Sequence, residues 1–100
     1  MRFATQYGAY EIESVPSQPQ VAICHGFFVH HEIRGQGFGH QIKAHQSDAL
    51  VELKYDFAIC TVAASNEAQR CVLRKAGWVW LAEFDNSKTG EMTELWGAEL

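Results

Sequence analysis

From Gln20 to His30 apolar residues fill both alternating sets of positions, with Val21, Ile23, His25, Phe27 and Val29 on one and Ala22, Cys24, Gly26 and Phe28 on the other. A strand apolar on both faces predicts a central strand with cover on each side. The period then lengthens: Phe38, Ile42, Ala49 and Leu53 fall at i, i+4, i+11 and i+15, which predicts a helix from about Gly37 to Leu53 with Lys43, Gln46 and Glu52 facing solvent. Tyr55 to Val62 is a short β-rich run and reads as a second buried strand. Ser65 or Asn66 can cap a second helix, whose stripe Ala68, Val72 and Ala76 ends at Gly77. Trp78 to Phe84 predicts a strand, Asp85 to Gly90 a hairpin connection, and Glu91 to Leu100 a returning strand. Before all of these, residues 2 to 14 mix Phe3, Tyr7, Tyr10 and Ile12 with Gly8, the pattern of an edge strand interrupted by a bulge, and Pro16-Ser17-Gln18-Pro19 turns the chain. The predicted order is β-β-α-β-α-β-β, an α/β fold with a mixed sheet.

The stretch Phe27 to Gly39 joins a strand to a helix through a loop holding Gly35, Gly37 and Gly39. A helix N-terminus has N–H groups without intrahelical partners and carries roughly half a positive charge, so it suits an anion. Alternate glycines let a diphosphate approach the backbone. The spacing does not fit the Rossmann pattern, since Gly39 follows Gly35-x-Gly37 one residue too soon, and no Gly-Lys-Ser or Gly-Lys-Thr makes a P-loop.

Val29-x-x-x-x-Arg34-x-x-Gly37-x-Gly39 resembles the acetyl-CoA signature of the GNAT superfamily of N-acetyltransferases. Asn66-Glu67-Ala68 followed by Lys75-Ala76-Gly77-Trp78 is similar to that family's Asn-initiated helix ending in Lys-x-Gly-Phe. The resemblance covers roughly residues 20 to 84, and the closing hairpin also fits it. It implies a mostly antiparallel sheet with splayed central strands, a bulge near Val29, and a pantetheine arm in the gap held by main chain at Phe28 and Val29. Arg34, Gly35, Gln36, Gly37, Phe38 and Gly39 would cradle the pyrophosphate, with the Arg34 side chain either on the phosphates or solvated. Asn66 would lie near the pantetheine amides as well as capping its helix. The implied activity is transfer of an acetyl group from acetyl-CoA to a primary amine, on a small molecule or a protein. The alternative is a weak or inactive module of the same shape that binds acyl-CoA or a protein partner.

Amine acylation needs a base and a proton for the departing thiolate. His25 is the candidate base, four residues before Val29 and on the same face by strict alternation. The family's usual Tyr acid, seven residues after the Asn, is Leu73 here, which leaves Tyr7, Tyr10, Cys71 or water as substitutes, or no dedicated acid at all. The pairs His30/His31 and His40/His45 diverge on a strand and a helix, so no metal site is expected.

Composition narrows the partners. A net charge of −4 with 47% apolar residues predicts one small domain spanning residues 1–100 and disfavours nucleic acid. Cys24, Cys60 and Cys71 sit in apolar segments, as buried free thiols of a reducing, cytoplasmic setting do. No apolar run approaches the roughly 18 residues of a membrane span. The family's usual first helices have no room before Gln20, so cover for one sheet face is expected from a second subunit of a homo-oligomer; Trp78, Trp80 and Trp96 belong either to that interface or, more plainly, to the small core.

Overall fold

The computed structural model describes residues 1–100. Six strands, β1 (Arg2–Ala4), β2 (Gly8–Val15), β3 (Gln18–Val29), β4 (Phe57–Ala63), β5 (Val79–Asn86) and β6 (Glu91–Glu99), form one sheet in the order β1-β2-β3-β4-β6-β5. Helix α1 (Phe38–Glu52) follows β3 after a 3-10 turn at His31–Ile33, and α2 (Glu67–Lys75) follows β4. Only the β3–β4 pair is parallel, so the sheet is mixed and mostly antiparallel, as expected.

The first segment departs from the prediction. It is a hairpin rather than one bulged strand, and the order becomes β-β-β-α-β-α-β-β. The reversal rests on Thr5, whose hydroxyl accepts the Tyr7 and Gly8 amides at 3.1 and 3.2 Å while its own amide donates to Gly8 O at 2.7 Å. A hydroxyl-capped turn carries no Gly-Pro signal, so the pattern alone hid it.

Cover supplied by the chain itself lies on one face of β3 only. Both helices pack on one face, where Tyr10 and Ile12 of β2, Ala22 and Cys24 of β3, Ala58, Cys60 and Val62 of β4 and Trp96 of β6 meet Ile42, Leu50 and Leu73. The opposite face carries Val21, Ile23, Phe57 and Ile59, half-buried and without a helix over them. Trp78 and Trp96 belong to the core, which leaves Trp80 as the exposed tryptophan. Trp96 Nε1 donates to the buried Glu94 carboxylate at 3.0 Å, and Arg70 Nε donates to the same oxygen at 3.0 Å, so that charge is paired. Lys43 and Gln46, expected to face solvent, are 2% and 1% exposed. The stripe of α1 that meets the sheet is wider than its apolar residues indicate.

The three cysteines are free, with Cys24 and Cys60 buried. Burial pushes the Cys24 thiol from 9.0 up to about 12 and raises Cys60 in the same direction. Tyr10, also desolvated, is pushed from 10.0 to about 12. Below pH 9 these groups are protonated in both states; above it the unfolded chain releases protons that the folded one keeps, so stability is lost as pH climbs toward 12. Lys43 opposes this, because burial lowers its pKa and stability is gained as pH rises to the ordinary 10.5. Three of these four groups act toward loss. The thermal midpoint is expected to fall between about pH 9 and 11, less steeply in Cys24→Ala, and a flat profile would contradict the assigned burial.

Candidate functional site

Strands β3 and β4 pair only at Val21↔Phe57, Ala22↔Ala58 and Ile23↔Ile59. Beyond Ile23 each keeps its outer partner, β3 with β2 as far as Val29↔Gly8 and β4 with β6 as far as Ala63↔Thr93. The two inner edges therefore diverge into a V, the splay that the resemblance implies.

A bulge accompanies the divergence, though not near Val29. Register passes from Glu11↔His25 to Ala9↔Phe28, so β3 holds one residue more than β2 in between, at Gly26 with φ +62°. A bulge bends its strand and shifts the alternation by one place. This corrects the placement of His25 and Val29 on one face. Val29 packs toward the core with Phe27, while His25 shares the open face with Glu11.

At the wide end of the V lies a groove of about 570 Å³ between β3, the loop from Arg34 and the start of α2. Phe28, Val29, Arg34, Gly35, Gly37, Phe38, Gly39 and Asn66 all line it; Gln36 does not. The amides from Gly35 to Gly39 have no hydrogen-bond partner in the protein, and α1 begins with Gly37 as an N-cap that supplies no side chain. Gly37 has φ +85°, a left-handed conformation that aligns these amides with the helix start and that a side chain disfavours. Arg34 is not simply solvated: its Nε donates to Val29 O at 2.9 Å, tying the loop to the end of β3. Asn66 caps α2, with Oδ1 accepting the Gln69 amide at 3.2 Å, and faces the groove as well.

A second cavity, of about 340 Å³, occupies the narrow part of the V and shares Phe27, Asn66 and Gln69 with the groove. His25 and Thr61 line it from the open face, and Cys24, Lys43, Gln46 and Cys60 from the helix side. His25, its side chain 45% exposed, has Nδ1 3.9 Å from Glu11 Oε2 and Nε2 3.9 Å from Glu13 Oε1. These two carboxylates went unnoticed in the sequence because they lie on β2, and only the antiparallel register brings them beside His25. A hydrogen bond from the terminal amine of Met1 holds the Glu13 carboxyl below its usual range. The three groups place ligand-capable atoms within 4.8 Å of one another. The histidine pairs noted in the sequence are spread out, with His40 in the groove and His45 Nδ1 bonded to Tyr10 OH at 2.7 Å.

Leu73 is fully buried in the core. Of the substitute proton donors, Tyr10 is buried against α1 and Tyr7 stacks on Phe38 at 4.4 Å, whereas Cys71 lines the groove.

No protein-family model matches the sequence, and no curated protein does. Solved structures do resemble the chain. An IAA acetyltransferase from Bacillus cereus superposes with a TM-score of 0.83 at 15% identity, covering 94% of this chain and 70% of that one. The ribosomal-protein-S18-alanine N-acetyltransferase from Escherichia coli gives 0.80 at 18% identity, over 99% and 68%. An acetyltransferase from Bacillus subtilis in complex with CoA gives 0.79 at 18% identity, over 98% and 73%. At such identities the likeness speaks for the fold, which is GNAT-like. No helix of the chain is long and apolar enough to cross a membrane.

Proposed function

We propose that this chain, which carries the GNAT-like N-acetyltransferase fold, binds acetyl-CoA and transfers its acetyl group to a primary amine. The observation that carries the reading is a coincidence of two backbone surfaces: the unpartnered amides from Gly35 to Gly39, and the inner edge of β3 beyond Ile23, which β4 leaves unpaired and which opens onto the same V. The first suits a diphosphate and the second an amide-bearing pantetheine arm. The CoA bound in the Bacillus subtilis structure supports the same choice of ligand.

On this reading the thioester sits where groove and cavity meet, beside Phe27 and Asn66. The acceptor enters from the open face, past Thr61 and His25. The amine nitrogen bonds to the thioester carbon, His25 takes the proton the nitrogen sheds, and the C–S bond breaks with its electrons leaving on sulfur. Cys71, in the groove, or water returns a proton to the thiolate. Amides near the end of β3 can bond the carbonyl oxygen as charge gathers on it.

Calorimetric titration with CoA and acetyl-CoA, followed by thiol release with a panel of polyamines, amino acids and peptides, tests the reading. Saturable binding with release by at least one amine is expected. Binding without release would favour a module that holds acyl-CoA and does not turn over, the alternative that Leu73 supports. Absence of binding would remove both and leave a module that binds a protein partner.

A further inference from the structure

Lys43 is the least expected residue in the cavity. Its ammonium is buried on α1, lies 3.7 Å from the Trp78 ring centroid and 5.7 Å from that of Phe27, and donates to Gln46 Oε1 at 2.6 Å. No carboxylate pairs with it, since the ion pairs of the chain involve Met1, His25, Arg70 and Arg74. Burial without a counter-ion disfavours the ammonium, as its lowered pKa records, so an anion seated beside it would favour the charged form.

Gln46 deepens the imbalance. Its Nε2 is buried and has no hydrogen-bond partner. The amide orientation follows from its neighbour, because an ammonium only donates and must face the amide oxygen. That leaves the two N–H groups of Gln46 with no acceptor and the Lys43 ammonium with only the Trp78 ring and the Cys24 and Cys60 thiols near it besides Gln46 Oε1, on two residues that line one cavity. An unmet buried donor costs about 1–3 kcal/mol, more when charged, and water in the cavity would relieve this only in part.

We propose that Lys43 and Gln46 form a receptor for a carboxylate at the far end of the acyl group, so that the preferred donor is the CoA thioester of a dicarboxylic acid. This deepens the acyl-CoA reading above and rests on it. The position of the pair favours the acyl group over the acceptor: both residues lie on the helix side, reached from the cofactor groove through the shared residues Phe27, Asn66 and Gln69, whereas the acceptor route passes His25 on the open face. Size permits it: the cavity of about 340 Å³, which opens to solvent and also takes the acceptor past His25 and Thr61, leaves room on its helix side for more than an acetyl methyl. A carboxylate here would supply the missing acceptor and counter-ion together, as charge-assisted bonds.

The test compares thioesters matched in chain length, succinyl- with butyryl-CoA and glutaryl- with valeryl-CoA, by calorimetry on the wild-type chain, with CoA itself as reference. At least one dicarboxylic member should bind about tenfold or more tighter than its neutral partner. Lys43→Met, which keeps the stem and removes the charge, should erase that preference while leaving CoA affinity unchanged. Equal or weaker binding of both dicarboxylic thioesters overturns the proposal, as does a preference that survives Lys43→Met. Failure of CoA itself to bind is a separate result, which removes the cofactor reading and this one with it.

Discussion

Gly37→Val is expected to lower CoA affinity by at least ~100-fold while the chain remains folded. The amides from Gly35 to Gly39 are unpaired, and the left-handed turn at Gly37 sets their direction. A β-branched residue resists that conformation by about 1–2 kcal/mol, so the loop would relax and the amides would turn apart. Losing two hydrogen bonds to a charged ligand, at about 1.5–3 kcal/mol each, accounts for the expected loss of affinity. The fold should survive, because a Cβ on Gly37 meets no protein atom within 4 Å and the strain stays in an exposed loop. A melting-point drop of roughly 5–15 °C follows from that strain. Gly37→Asn is the control, since Asn tolerates the left-handed region and should bind more nearly as the wild type does. Calorimetry on the three proteins decides the matter: a Val variant that binds CoA within a few-fold of wild type would show that these amides do not hold the diphosphate.

Local patterns made the frame legible. The apolar alternation of Val21 to Val29, the period of α1, Asn66 as a cap and Gly77 as a stop all describe short-range geometry, and the structure places an element at each. The glycine loop before α1 was readable for the same reason, because alternate glycines after a strand constrain the backbone wherever they occur. Three features escaped because they depend on partners distant in sequence. The bulge at Gly26 is defined only by register against β2, and it moved His25 to the other face from Val29. Glu11 and Glu13 reach His25 only across that register. Lys43 and Gln46 look like solvent-facing positions on a helical wheel, yet both are buried, Lys43 with its ammonium over the Trp78 ring and Gln46 hydrogen-bonded to Lys43. Polar residues in an apolar stripe break the periodic signal at the places where chemistry is concentrated.

His25→Ala should lower kcat/KM for amine acetylation by roughly 100-fold and leave acetyl-CoA affinity unchanged, because the side chain faces the acceptor route rather than the cofactor groove. The competing bases are its own neighbours. Glu11 and Glu13 stand 3.9 Å from the ring nitrogens, beside the atoms on which positive charge develops as the imidazole takes the amine proton. If they act through that charge, Glu11→Gln and Glu13→Gln should each cost only a few-fold, since two screened carboxylates share the effect and Glu13 is already bonded to the terminal amine. If a carboxylate is itself the base, one Gln variant should equal or exceed the loss in His25→Ala. Chemical rescue separates these cases further: the ring is 45% exposed, so imidazole added to His25→Ala can enter the space it vacates and restore part of the rate. Turnover untouched by His25→Ala, or a Glu11→Gln variant that alone abolishes it, would move the base from β3 to β2 and place proton removal at the carboxylates that the sheet register brings alongside.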